Sequence, residues 1–544
     1  MPQTNPGTSA ASPSLMTGSR AWRAWALSAA PGLLLICAVL AAYTICYLRD
    51  SALPSTTQPG SGWWSWWDQG EYLRAARAWA HGDLNPDLHW YFPGYPILGA
   101  LFYRLMPAHP FFLPDALLLV LALYLFVEIC GALDVDRVKA AMIFIATVLV
   151  PPAIVGQFVV PWTTTPAMAL ILAVLLAALR YGDAPAPRWS LAAGACGAGL
   201  MLFRPTDLII LVPVAAFGAR AAVRAGGLRR VLRDGAAFCA GFAAPATIAV
   251  AIHLAIYGPH ESGYMQQAAG IGFNFAQLPV KWVTIFLDPH PLFASGEGIL
   301  HAYPWVGLGI IGAVQFSLCR PSARHALVAA VMLVYSALYL SYVDLLPSNL
   351  WAFQIIHYFK WLFPFFGLFA FLALRALRDR KNWRSFAAAV ALSAVPLCLT
   401  VTLVPVASTL APSHGPRSFV LDVAGPVDVI DLPLSKANEL TMYPAYLPSH
   451  REKVGGHWVM RPIVDIPPHE LQVDGKALAD VSDFQIFASP SGARIVLLRH
   501  PARRVVAARL AEGNTPARPF EVETYATSLG LGWPAWLRFG EASP

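Results

Sequence analysis

Apolar runs recur along the first three quarters of the chain, separated by short polar or charged segments. About twenty such residues in a helix rise about 30 Å, the depth of a bilayer's hydrocarbon core. The pattern predicts spans near 24–47, 111–130, 139–158, 164–181, 191–203, 207–219, 235–257, 302–319, 326–343, 355–374 and 385–406, about 11 in all. Past residue 406 the pattern changes. Short alternating runs, Ser418–Val423, His457–Asp465, Asp483–Ala488 and Ala493–Arg499, stand between Pro and Gly, which predicts a small β-rich domain over 407–544. Residues 1–19 carry Ser, Thr, Pro and Gly without charge and read as a disordered tail. The expected fold is a polytopic α-helical membrane protein with a C-terminal β-rich domain.

Composition agrees: the 544 residues are 57% hydrophobic and 13% charged, with 18 Trp and 29 Phe, which excludes an ordinary soluble domain. The net charge is +7, but its distribution says more. With the tail inside, inner segments hold eighteen Lys and Arg, and outer segments up to residue 406 hold seven. Excess positive charge on the inner side supports that orientation and leaves the C-terminal domain outside. Residues 413–544 hold thirteen basic and fourteen acidic residues, so this is no polyanion-binding module, and nucleic acid is not an expected partner. All seven Cys fall in apolar segments, which offers neither a disulfide framework nor a thiolate metal site. No P-loop, Gly-rich dinucleotide turn or zinc spacing occurs.

The two apolar runs of 191–219 are each 13 residues, about 20 Å, too short to cross alone. A shallow hairpin with Arg204-Pro205 at its outer tip keeps the basic cluster Arg220 to Arg233 inside. One kinked span is the alternative.

The chemistry concentrates in the first outer loop, from Trp63 to Leu105, where six Trp, four acidic residues and a Pro-Gly-Tyr-Pro turn lie between apolar segments. Indoles in such a place suit the membrane–water boundary. On a helix, Asp68, Glu71, Tyr72, Ala75 and Trp79 share one face and Arg77 lies opposite. Arg74 and Arg77 are expected to meet lipid phosphates. Anchoring the loop is the plain alternative to chemistry. Two later outer segments add candidates: 258–301, which suits interfacial helices over a cavity, and 344–361, where His357 and Lys360 are expected to face outward from the last helical turn.

The Asp just past the first span, the helix with a Tyr and an Ala-Arg pair, and the turn Phe92-Pro-Gly-Tyr-Pro96 resemble the first periplasmic loop of GT-C glycosyltransferases. Protein O-mannosyltransferases and the aminoarabinose transferases of lipid A belong to that superfamily. The usual turn is Pro-Pro-Gly-Tyr-Pro, and Phe92 replaces its first Pro. The start of the 258–301 segment, Tyr257-Gly-Pro-His-Glu-Ser-Gly-Tyr264, and its end, Gly296 to Tyr303-Pro304, resemble the corresponding GT-C loop.

The resemblance covers residues 20–406 and implies a GT-C-like transmembrane domain whose first outer loop, 49–110, carries the catalytic acid. It implies an inverting glycosyltransferase in the cytoplasmic membrane, N-terminus inside and C-terminal domain periplasmic. The donor would be a polyprenyl-phosphate-linked sugar and the acceptor a glycan, lipid or protein. Asp68 then stands as base, and Glu71 as a second acidic contact. Arg204 fits an Arg-Pro pattern of the superfamily at a donor phosphate, with His357, Tyr358 and Lys360 where many members carry Arg-Tyr. His89, Tyr91 and Tyr264 are candidates for the acceptor or sugar side. Members differ on metal, and two acidic residues three apart permit a divalent cation (Mg or Mn) on Asp68 and Glu71, or none. A transporter or flippase for a lipid-linked sugar is the alternative from another class, and a glycan polymerase the third. The first would show ionisable groups at mid-span and repeat symmetry, the second large late loops with paired Arg.

Overall fold

The computed structural model describes residues 18–55, 62–293, 296–343, 345, 356–379, 382–412, 418–432, 449–454, 457–462, 470–473, 476–477, 484–489, 492–497, 501–508 and 522–534. The expected tail thus lies almost wholly outside the described residues, as does most of 344–361. Among the described residues, six helices are long and apolar enough to cross a membrane: Gly32–Arg49, Phe112–Ala132, Thr164–Asp183, Pro205–Tyr257, Ala323–Ser341 and Ile356–Leu377. Leu34, Leu48, Leu117, Leu121, Leu333 and Leu374 stand exposed on them. Apolar surface on that scale is unfavourable in water and suits lipid.

Three expected spans take other shapes. The run at 139–158 is bent by 83° between Arg137–Leu149 and Pro152–Val159. Pro151 and Pro152 fall at the bend, where a ring in place of an N–H stops the helix. The run at 302–319 is the shorter apolar helix Trp305–Cys319. The last run, 385–406, is divided: the helix Trp383–Leu397 ends at Cys398, and Leu399–Val406 is a strand. That correction moves the β-rich region forward. Leu-Thr-Val-Thr-Leu-Val is β-branched at alternate positions and pairs antiparallel with Glu523–Leu531, so hydrophobicity alone misread a sheet edge as the end of a span.

The stretch 191–219 turns back on itself at Arg204-Pro205, as expected of a hairpin. Helix Pro187–Gly199 turns at Phe203-Arg204 into a two-turn 3₁₀ segment, Pro205–Ile210, and then into Leu211–Tyr257. Forty-seven helical residues would reach about 70 Å, far beyond a bilayer core. The helix is in fact interrupted at Gly226-Gly227, and Gly227 sits at φ 66°, a conformation that costs a side chain dearly. Helix Pro187–Gly199 packs on both arms: Gly197 meets Leu211, and Leu191 meets Gly241. The chain therefore reverses direction amid the arginines.

The described residues of the C-terminal region form two five-stranded antiparallel sheets and a hairpin. One sheet runs, in spatial order, Leu399–Val406, Glu523–Leu531, Val429–Leu432, Gly492–Leu497 and Phe484–Ser489. The other runs Ser408–Pro412, Ser418–Val427, Ala502–Ala508, Glu470–Val473 and Lys476–Ala477. Expected strands at 418, 457, 483 and 493 all fall on observed ones.

This region is locked to the helical part. Ile271, Leu292, Phe293 and Val343 share an apolar cluster with Val429 and Val496. Arg494 grips both oxygens of Asp431 at 2.7 Å and donates to the carbonyls of Pro291 and Leu292 at 3.0 and 3.1 Å. A forked, charge-assisted contact of this kind holds geometry as well as energy.

Candidate active site

The segment expected as the first outer loop folds as helix Trp67–His81, the short turn Pro86–Leu88 and helix Gly94–Tyr103. Asp68 stands in the first turn of its helix, as the wheel pattern predicts, with Glu71, Tyr72 and Ala75 buried and Arg74 and Arg77 exposed. Two of the tryptophans depart from expectation. Trp63 and Trp64 are fully buried, the first edge-on to Tyr47 at 5.4 Å, the second donating to the Ala108 carbonyl at 3.1 Å. They close the protein's own core rather than a water boundary.

Three elements converge beside Asp68. Gln69 donates to the Pro161 carbonyl at 2.9 Å, which seats the loop helix on the segment before Thr164–Asp183. Thr163 of that segment is within hydrogen-bonding reach of Tyr72 and accepts from Arg204 Nη1 at 3.3 Å. The Pro-Gly turn completes the seam: a Cβ on Gly94 would lie 2.7 Å from the Leu202 carbonyl oxygen and 2.9 Å from the Phe203 ring. Only glycine allows the turn to lie this close to the hairpin tip that carries Arg204.

At the centre, Tyr91 donates its hydroxyl hydrogen to Asp68 Oδ1. The Tyr91 ring packs between Tyr72 at 4.9 Å and Tyr264 at 4.8 Å, and Phe92 meets Tyr264 edge-on at 5.7 Å. Burial pushes the Asp68 carboxyl above its ordinary range, while the Tyr91 hydrogen bond and the Arg204 charge pull it down. The phenols of Tyr91 and Tyr72 are driven well up, by burial first and the Asp68 charge second, so both remain donors.

Arg204 is the cation of this wall. Its Nε and Nη2 donate to Tyr339 Oη at 3.2 and 2.7 Å, Nε lies 3.6 Å from Asp207 Oδ2, and the guanidinium faces the Tyr339 and Tyr358 rings at 5.1 and 4.8 Å. Tyr339 in turn donates to Asp207 Oδ1. Three of the five N–H groups are used, and the other two have no hydrogen-bond partner among the described residues.

The remaining candidates divide. Tyr264 and Tyr358 join the wall; His89 does not. Its Nε2 bonds the Asp83 carbonyl at 2.8 Å and its ring packs on Trp79 at 5.4 Å, so it braces the turn. Glu71 is ion-paired with Arg74 at 3.0 Å, and the Arg74 side chain stays exposed. Asp68 and Glu71 are thus turned to different partners, and no group of three or more His, Cys, Asp or Glu suited to a metal occurs among the described residues.

The outward placing of His357 and Lys360 is corrected too. Both are buried. His357 is sandwiched between Trp162 at 3.8 Å and Tyr358 at 4.1 Å, and neither ring nitrogen has a hydrogen-bond partner among the described residues. Lys360 turns inward and donates to the Gln157 carbonyl at 2.8 Å and Thr165 Oγ1 at 2.7 Å, with Phe158 under its ammonium at 4.6 Å. Sequence reading missed Asp207, Tyr339 and Thr163 around Arg204, and the buried pair Tyr95–Asp115 at 2.7 Å. An acidic residue at the start of an apolar run was the available signal at both 115 and 207.

Compared with protein-family models and with curated protein sequences, the chain matches none.

Proposed function

We propose that this protein is an inverting glycosyltransferase of GT-C type, which moves a sugar from a polyprenyl-phosphate donor to a glycan, lipid or protein acceptor at the outer face of the cytoplasmic membrane. One observation carries the reading: a tyrosine-held carboxylate and a guanidinium with donors to spare stand on neighbouring elements joined through Thr163. In this scheme Asp68 takes the proton of the acceptor hydroxyl as that oxygen attacks the anomeric carbon. The sugar–phosphate bond breaks on the opposite face, and the phosphate leaves with its charge on Arg204. Tyr91 holds one carboxylate oxygen so that the other can meet the acceptor, and Tyr264 supplies aromatic surface for a sugar ring. Lys360 drops out of the phosphate contacts, because its ammonium already has acceptors.

The reading includes about eleven crossings, counting both arms about Gly226-Gly227 and the shorter apolar helices, with the N-terminus inside and the sheets periplasmic. A fusion reporter after residue 225 should read inside and one after 410 outside. No step is assigned to a metal. A flippase needs ionisable groups at mid-span, but Asp115 and Lys360 both lie at the beginning of their helices, Phe112–Ala132 and Ile356–Leu377.

The decisive assay follows release of polyprenyl phosphate from a panel of polyprenyl-phosphate sugars in membranes that contain the protein. Asp68→Asn should abolish release while insertion is kept; undiminished release in that variant removes the assignment.

A further inference from the structure

We infer that the sheet region is not held clear of the bilayer: the Leu529–Trp533 end of its strand rests among the lipid headgroups of the leaflet beside helix Trp383–Leu397. Four observations lead there. Leu529, Leu531 and Trp533 are 45, 67 and 74% exposed, a run of large apolar side chains in a region otherwise balanced in charge. In a strand, residues 529 and 531 point to the same side.

Register then fixes their depth. Leu531 pairs with Leu399 and Leu529 with Val401, the first residues after the apolar helix, and Val401 is itself buried in the core of the helical part. The Gly532 N–H donates to the Cys398 carbonyl at 3.0 Å, which pins the strand end to the helix end. Helix Trp383–Leu397 presents Val390, Leu392 and Val395 outward, 40, 56 and 56% exposed, so the patch continues a lipid-facing surface.

The last observation is the sequence itself. After Trp533 the chain reads Pro-Ala-Trp-Leu-Arg-Phe, tryptophans and an arginine among apolar residues, the composition of a membrane-interface belt. An exposed apolar edge in water is an aggregation liability, and lipid removes it. The inference rests on the membrane reading but not on any catalytic assignment.

The test uses the full chain in vesicles of phosphatidylethanolamine and phosphatidylglycerol. A fluorophore is attached through Leu531→Cys, with Glu523→Cys as control, in a variant freed of the seven native cysteines. Glu523 is exposed at the far end of the same strand, about 27 Å away. Lipids with a nitroxide near the headgroup should quench the probe at 531 several-fold more than at 523, and aqueous iodide should do the reverse. Equal iodide quenching at both sites overturns the inference. Shielding of 531 from both quenchers also overturns it, because the chain's own residues then cover the patch. Should the cysteine-free variant fail to insert, a photo-crosslinking amino acid at 531 in the native background reads the same outcomes as lipid or protein adducts.

Discussion

Arg204, part-buried, and Lys360, fully buried, are cations near the Asp68 cluster, and they differ in what surrounds them. The guanidinium rests on hydroxyls and aromatic faces with only a long contact to Asp207, so part of its donor capacity stays open. The ammonium gives two of its three N–H groups to a backbone carbonyl and a threonine that clamp helix Ile356–Leu377 to the segment 157–165, with the Phe158 ring against it. A flat, five-donor group can serve its scaffold and a ligand together, whereas a point charge on a flexible stem serves whichever acceptors bury it. Place in a sequence motif is therefore a poorer guide to function than unspent hydrogen-bonding capacity.

That contrast yields an ordered set of tests. Of these two cations Arg204→Ala should cost transfer more, lowering it by about 10²–10³-fold per folded molecule; an equal loss per folded molecule in Lys360→Met would dissolve the distinction. Lys360→Met should instead strand its acceptors, destabilising the fold by about 1–3 kcal/mol, seen as a lower melting temperature in detergent, while transfer per folded molecule persists.

A subtler change is expected from Tyr91→Phe. Asp68 must be ionised to accept a proton, so transfer falls as pH drops through its raised pKa. Removing the hydrogen bond that lowers that pKa moves the acidic limb of the rate profile to higher pH. An unmoved limb would show that another group sets it. Arg77→Ala, which alters a fully solvated cation on the opposite helix face, should leave donor affinity unchanged in a binding titration.

Much of this arrangement was legible beforehand. The helix that carries Asp68, the hairpin tipped by Arg204 and four of the C-terminal strands follow from periodicity and chain breakers, which act locally. What escaped depends on partners far away in sequence. The inward turn of Lys360 depends on Gln157 and Thr165, roughly two hundred residues earlier, and the Tyr339 clamp on Arg204 joins helices that no local pattern connects. Strand Leu399–Val406 was misread for the same reason, since its identity comes from pairing with residues 524–531.

The contact at Gly94 has a further consequence. Asp68 and Arg204 reside on separate pieces of chain, so their spacing is set by how near two backbones can come. A single methyl group there would wedge the turn away from the hairpin, and Gly94→Ala should therefore unsettle a reaction whose participants it never touches.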